Sequence, residues 1–396
     1  MEVVSEKKTM VSFDNTKIAF ISKSDSDLKK SYWLFKLMSK PMLVKYGGSL
    51  APLGLKLGFK SLVKKTIFKQ FVGGEDINDC NNAIAQLAKY NIGTILDYSV
   101  EGKESERDFD HCCKETIETI HRAKGDKNIP FCVFKVTGLA RFDLLQKVSS
   151  GDALTKEETE EYQRVKDRVN KICSESYQNN KPIFIDAEES WIQQAIDDLA
   201  NENMARYNKN SAIVYNTFQL YRKDRLAYLN HSVAMGKTNG YHVGAKLVRG
   251  AYMEKERKRA IEKGYPSPIQ DSKENSDKDY NAALEFCVNN IDCMGLCAGT
   301  HNEKSSLFLI DLMQKKNIAP DDKRIYFSQL LGMSDHISYN LSQSGYNVAK
   351  YVPYGPVKEV LPYLIRRAQE NTSVKGQTGR ELSLIIKEKE RRRTAK

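Results

Sequence analysis

Proline is scarce in this chain, at 10 of 396 residues, and tryptophan occurs only twice. With 40% apolar and 29% charged residues, collagen-like, low-complexity and wholly disordered classes are excluded. No run approaches the roughly 18 apolar residues of a membrane-spanning helix. The eight cysteines (Cys80, Cys112, Cys113, Cys132, Cys173, Cys287, Cys293, Cys297) contain no Cys-x-x-Cys pair. Their spacing offers neither a zinc site nor a disulfide framework, so reduced thiols are expected. Gly-x-Gly-x-x-Gly is missing too, which removes the main signature of an open dinucleotide-binding sheet. The nearest phosphate-loop look-alike, Gly236-Lys237-Thr238, has His231 where its first glycine should stand. The N-terminus carries Glu2 and Glu6 and has neither a secretory apolar core nor the arginine-rich look of a transit peptide.

One segment lacks acid altogether. Residues 28–74 hold ten lysines and no Asp or Glu, a net +10. Residues 1–27 stand at −1 and residues 375–396 at +5, which leaves 75–374 at −3 within the formal total of +11. This pattern predicts a basic helical arm (1–74), a near-neutral body (75–374) and a basic C-terminal tail (375–396). A nucleic-acid enzyme would line its own cleft with such charge, so no nucleic-acid partner is expected. Arm and tail suit an anionic surface instead.

Residues 30–71 read as two amphipathic, lysine-studded helical segments broken around Pro41, Gly47-Gly48 and Pro52. Gly73-Gly74 closes them. From there β-branched or aromatic runs alternate with helical segments, at 93–98, 131–137, 182–187, 212–217, 243–248, 296–300, 324–328 and 347–352. Thr155 with Glu158 makes a capping box. It opens a helix with Tyr162, Val165, Val169 and Ile172 on one face. Residues 190–200 and 305–315 read as further helices. Eight strand–helix repeats predict an α/β chain folded as a (β/α)8 barrel of the TIM type.

Barrel chemistry sits at the carboxyl ends of the strands. Those ends carry Lys135; Asp186, Glu188 and Glu189; Gln219 and Tyr221; Lys246 with Arg249-Gly250-Ala251-Tyr252; Thr300-His301-Asn302; Gln329; and Tyr351 with Tyr354-Gly355. A last helix is expected to start at Gly355-Pro356. Val357, Leu361, Leu364 and Ala368 would pack, with Tyr363, Arg366, Arg367 and Glu370 on the opposite side and a bend at Pro362. Two guanidiniums over the mouth are suited to fork onto a carboxylate, and Lys135 adds a third cation, so an anionic substrate is expected. No His, Cys or acid stands at ligand spacing from His301, so it reads as a hydrogen-bonding group for a cofactor, and no metal is expected. A Schiff base on Lys135 or Lys246 keeps a lyase as the rival enzyme. A catalytically dead, basic membrane-surface adaptor is the rival outside enzymes.

Five blocks stand out: Lys246–Arg257 (KLVRGAYMEKER), Tyr351–Asn371 (YVPYGPVKEVLPYLIRRAQEN), Asp186–Glu189 (DAEE), Thr300–Asn302 (THN) and Phe327–Met333 (FSQLLGM). Together they resemble the proline dehydrogenase family in its single-function form, in order from about Phe13 to Asn371. The resemblance implies a distorted barrel that binds FAD and oxidises L-proline to Δ1-pyrroline-5-carboxylate by hydride transfer to the flavin N5. Electrons would pass to a membrane quinone, and pyrroline-5-carboxylate dehydrogenase would act next, on the way to glutamate. It also implies that Lys135, Arg366 and Arg367 hold the substrate carboxylate, that Tyr351 and Tyr363 pack on its ring, and that Ala187 and Leu331 wall the pocket. Asp186 is then the pocket acid, and Glu370 pairs with the arginines beside the cofactor. Gln219, Lys246, Val248, Arg249, Gly250, Ala251, Tyr252, Thr300, His301, Asn302 and Gln329 fall at FAD-contacting positions. Some bifunctional bacterial members have Arg in place of Lys246. The bulk of Tyr351 favours proline over hydroxyproline.

A quinone-reducing enzyme must reach the bilayer. The lysines of 28–74, with Tyr32, Trp33, Leu34, Phe35, Leu37 and Phe59, are read as a peripheral membrane contact. The expected location is the cytoplasm at the inner membrane face in a bacterium, or the mitochondrial inner membrane in a eukaryote.

Overall fold

A computed structural model of the chain describes residues 11–40, 64–99, 104–373 and 377–395, apart from the side chains of 65, 368–373, 377 and 378. Eight parallel strands close in sequence order into a barrel. They are β1 Ile92–Tyr98, β2 Phe131–Lys135, β3 Ile183–Asp186, β4 Val214–Gln219, β5 Val243–Val248, β6 Met294–Gly299, β7 Ile325–Leu330 and β8 Val348–Tyr354. Each predicted run overlaps its strand: those at 131–137 and 182–187 contain β2 and β3, the bounds of β5 coincide with the expectation, and the other five strands are offset from their runs by one or two residues. Strands covered on both faces carry continuous apolar runs; β4 and β8 are buried at every residue.

Inward positions fill the lumen in layers. Phe131 stacks on Phe184 with ring centroids 4.4 Å apart, and Tyr215 and Tyr326 meet Phe131 edge-on. Gly295 on β6 makes the room, since a Cβ there would overlap the Tyr215 hydroxyl. Outside, the helix Lys156–Gln178 opens with the expected capping box: Thr155 Oγ1 accepts from Glu158 N at 3.2 Å and Glu158 accepts from Thr155 N at 3.0 Å. Val165, Val169 and Ile172 bury its inner face. The helices expected at 190–200 and 305–315 run Ser190–Tyr207 and Glu303–Lys315.

Two expectations are corrected. The helix after β8 is Leu361–Ser373 and does not begin at Gly355-Pro356. Before it lies a turn in which Glu359 N and Val360 N donate to Pro356 O. Pro362 is therefore in the first turn, where its missing N–H forfeits no bond and forces no bend. Nor is Tyr363 on an open face. Val357, Leu361 and Leu364 are buried, but so is Tyr363, clustered with Met38, Phe68, Phe71 and Val360 from the arm and the turn. The side chains of Ala368 and Glu370 lie outside the described residues, as do Pro41, Gly47, Gly48, Pro52 and Phe59.

Most of the segment expected as a basic tail is the helix Gln377–Thr394. Its Leu384 and Ile385 pack with Phe20 and with Leu28 and Phe35 of the arm helix Asp25–Met38. Two of its arginines tie it to other elements: Arg380 to Glu303 and Asp14, each at 2.8 Å, and Arg392 to Asp25 at 2.9 Å. All eight cysteines are free, and seven are buried. No described helix is long and apolar enough to cross a membrane.

Candidate active site

Two residues beyond the aromatic layer, the same strands carry charge. Ile95 is followed on its inward row by Asp97, Val133 by Lys135 and Phe184 by Asp186. The ladder pairs Lys135 directly with Asp186. Lys135 Nζ lies 3.2 Å from Asp186 Oδ2 and 3.9 Å from Asp97 Oδ2. From β5, Lys246 Nζ donates to Asp186 Oδ1 and sits 2.5 Å from the Tyr351 hydroxyl. Tyr351 Oη is 3.4 Å from the same Asp186 oxygen. The Lys246 ammonium also stands over the near-parallel rings of Tyr351 and Phe184, at 4.8 and 5.3 Å.

Burial alone would raise the Asp186 pKa. Lys246 and Lys135 more than offset it and hold the carboxyl below its ordinary value. Asp97 goes the other way: burial pushes it up, and Lys135 and a Ser99 hydrogen bond only partly oppose this. Burial, reinforced by Asp186, drives the Tyr351 phenol far up, so it stays a proton donor. Glu188, just beyond β3, is clipped to the end of β2 by Thr137 N at 3.1 Å and Thr137 Oγ1 at 2.5 Å. Burial pushes this carboxyl up to about 7.

The helix Leu361–Ser373 brings both arginines to the mouth. Arg367 is buried, its guanidinium 5.1 Å from the Tyr363 ring centroid. Against the burial that raises the Tyr252 phenol, Lys135 and Arg366 both act to lower it, and Arg367 adds to the burial that lowers the His301 ring. Ala187 is half-buried beside Asp186. Leu331 is tied to β8 through its N–H to Tyr351 O at 2.9 Å. Tyr363, expected against the substrate ring, packs between its own helix and the arm.

The opposite flank, from β4 to β7, is built of hydrogen-bonding groups. The Gln219 amide donates to Glu188 O at 2.6 Å, and the Gln329 amide to Thr300 O at 3.1 Å. Val248 accepts from Leu220 N through its carbonyl. Arg249 reaches Asp277 at 2.6 Å, Thr300 at 2.9 Å and Ser305 at 3.0 Å, stacked over Tyr280. Gly250 has φ 138°, and a Cβ there would overlap the Tyr221 ring. Ala251 and Tyr252 lead from it into the helix Met253–Lys263. Asn302 caps the helix Glu303–Lys315 by accepting from Ser305 N at 3.1 Å. His301 Nδ1 lies 2.9 Å from Ser334 Oγ. Burial, then Lys350, Arg367, His336 and Arg249, hold the His301 pKa down to about 3, so its ring is neutral. Carboxamides, a neutral imidazole and a guanidinium beside a helix N-terminus are a donor set for a large, flat, phosphate-bearing ligand. Among the described residues no cluster of His, Cys and acids could hold a metal.

Three contributing residues escaped sequence reasoning. Asp97 was legible in principle, because it shares the inward parity of Ile95. Lys350 on β8 faces away from the lumen and is buried against Asp335 (2.7 Å) and Met333 O (2.8 Å). Glu256 is fully buried and accepts from Ser190 N and Oγ, both at 2.6 Å, which pins the segment after β3. Neither of the last two has a local sequence signal.

The family model described as "Proline dehydrogenase" matches residues 80–380. The mitochondrial proline dehydrogenase 1 of Dictyostelium discoideum is 31% identical, over 98% of this chain and 76% of that protein. A hydroxyproline dehydrogenase of Xenopus laevis is 29% identical, over 94% of this chain and 88% of that one. Among solved structures, proline utilization A from Bdellovibrio bacteriovorus, inactivated by N-propargylglycine, superposes with a TM-score of 0.72 at 19% identity, over 94% of this chain. The chain spans 40% of the length of that protein, and the likeness is one of fold.

Proposed function

The chain belongs to the proline dehydrogenase family and is an oxidoreductase acting on proline; from that premise we propose that it converts L-proline to Δ1-pyrroline-5-carboxylate at the barrel mouth, with FAD bound along the β4–β7 flank. The observation that carries this reading is Lys135 paired with Asp186 beside Tyr351, with the helix Leu361–Ser373 that carries Arg366 and Arg367 following β8. Three cations there hold the substrate carboxylate and fix the ring. Loss of a hydride from the carbon next to nitrogen requires a free nitrogen lone pair, so the amine must react neutral. Asp186 is the acid that would otherwise keep it protonated. Its two oxygens are already taken by Lys135 and Lys246, which blunts that pull and leaves Asp186 to tune the site rather than accept the proton.

Gln219, Arg249, His301 and Gln329 suit the cofactor by donor chemistry, with Lys246, Val248, Gly250, Ala251, Tyr252, Thr300 and Asn302 around them. FAD, when bound, supplies the two-electron acceptor. Tyr351, held by Lys246, fills the space an added ring hydroxyl would need, so proline is preferred over hydroxyproline. Ala187 and Leu331 complete the wall. The Schiff-base alternative is disfavoured because both candidate lysines are engaged by Asp186.

Electrons then leave to a membrane quinone, and a pyrroline-5-carboxylate dehydrogenase consumes the product. For the membrane contact, Trp33 (57% exposed) and Leu37 (56%) stand beside the exposed Lys29, Lys30, Lys36 and Lys40, a face suited to anionic lipid. Phe35 takes no part, because it is buried in the core beneath. In a eukaryotic host the proposed location is the mitochondrial inner membrane, supported by relatives named as mitochondrial; in a bacterium it is the inner membrane face. The deciding experiment is a visible spectrum with and without L-proline. A yellow protein that bleaches with proline and releases FAD on denaturation is expected. A colourless protein trapped by borohydride on a carbonyl substrate would replace this reading with the lyase, and a flavoprotein that proline cannot bleach would leave the adaptor.

A further inference from the structure

The C-terminal helix reaches into the region behind His301. Ser334, in the turn after β7, is buried and has φ 50° and ψ 43°, a left-handed conformation that a serine keeps only when its surroundings hold it there. Two bonds do so. Its backbone N–H donates to the Glu381 carboxylate, and its hydroxyl pairs with His301 Nδ1 at 2.9 Å. Glu381 is itself buried, 4.0 Å from His336 Nδ1. Its helix is anchored on both sides of it, by Arg380 to Glu303 and Asp14 and by Leu384 and Ile385 in the core shared with the arm.

We infer that Glu381 is a positioning residue for His301, acting through Ser334. The chain of contacts runs from the C-terminal helix to one backbone N–H, from that residue's hydroxyl to the imidazole, and so to the cofactor flank. Without Glu381 the Ser334 N–H loses its buried acceptor, the left-handed turn relaxes, and the hydroxyl leaves Nδ1. That bond fixes the ring plane and the tautomer. It leaves Nε2, which has no hydrogen-bond partner among the described residues, as the nitrogen offered to a ligand. The Glu381 oxygen accepts from the Ser334 N–H, a role that a glutamine oxygen can fill.

The inference rests on the proposed flavin role of the site, and the test separates the two. The 15N signature of the His301 imidazole and the FAD affinity are measured on the full chain, with thermal midpoint as control. Ser334→Gly keeps the left-handed backbone and removes the hydroxyl; it and Glu381→Ala should both alter the His301 signature and weaken FAD binding about tenfold. Glu381→Gln should restore both to wild type, and the double variant E381A/S334G should be no weaker than S334G. Should E381A fail to fold, Glu381→Asp, which withdraws the carboxylate by one methylene, carries the same expectation. A variant at 381 that lowers the thermal midpoint but leaves the His301 signature and FAD affinity unchanged overturns the inference, as do additive losses in the double variant. A wild type that takes up no FAD overturns the proposed function, and the imidazole signature then decides the positioning role alone.

Discussion

The lumen holds two unlike environments a single inward step apart. Its lower part is a dry stack of rings, Phe131 on Phe184 with Tyr215 and Tyr326 set edge-on. The upper part is a set of opposed charges, Asp97, Lys135, Asp186 and Lys246, closed by Tyr351. Phe184 belongs to both, stacked below on Phe131 and lying under the Lys246 ammonium above. The floor is apolar and dense, so the ions above it find their opposite charges only within their own layer, Lys135 on neighbouring strands and Lys246 across the lumen. That fixes which lysine meets which carboxylate, and it weakens neither element: lone charges over such a floor would be expensive, whereas matched ones persist.

Breaking the floor should cost most. Phe184→Ala removes a ring from both layers and should lower unfolding free energy by about 3–5 kcal/mol in urea titration; a loss under 1 kcal/mol would mean the layers do not depend on one another. Breaking the rim should leave the floor standing. Arg366→Met or Arg367→Met should raise KM for proline by the equivalent of about 2–4 kcal/mol with flavin content retained, and an unchanged KM in either removes the carboxylate clamp. Between them sits Glu188. Its carboxyl is raised from 4.5 to about 7 in the fold. The native state therefore binds the extra proton, and this contribution is full below pH 4.5 and lost as pH rises through about 7. Glu188→Gln should thus gain on wild type by about 1 kcal/mol per pH unit across that window, measured as paired denaturation curves at pH 5 and 7; a constant difference would show that Glu188 is not buried as described. The smallest effect is expected outside both layers. Thr155→Ala should cost about 1 kcal/mol of stability and leave proline turnover unaltered.

The strands were legible because a parallel barrel buries both faces, so each strand is an apolar run whatever its neighbours do. The helix Lys156–Gln178 was legible because Thr155 and Glu158 act within one turn. The rim residues Lys135, Asp186, Lys246 and Tyr351 were legible as strand-end polar groups. Their mutual pairing was not, because it depends on which residues of β2, β3, β5 and β8 meet inside the closed barrel. Tyr363 was misplaced for a related reason: helical periodicity gives one face to the barrel and leaves the other to water, and it has no way to know that the arm covers the second. Lys350, Glu256 and Glu381 lie furthest from view. Each is a charge buried by an element distant in sequence, and the pattern around it looks like an ordinary solvated one.

The union of the arm helix with the C-terminal helix has a consequence for synthesis. Leu28 and Phe35 are made before any of the eight strands, and the Leu384 and Ile385 that bury them come after the last of them. On the ribosome the lysine-rich helix must wait, with its apolar side uncovered, while all eight strands emerge. Its docking waits on the helix Gln377–Thr394, and a nascent protein halted before residue 384 would keep a sticky, lysine-bearing helix open to chaperones and membranes alike.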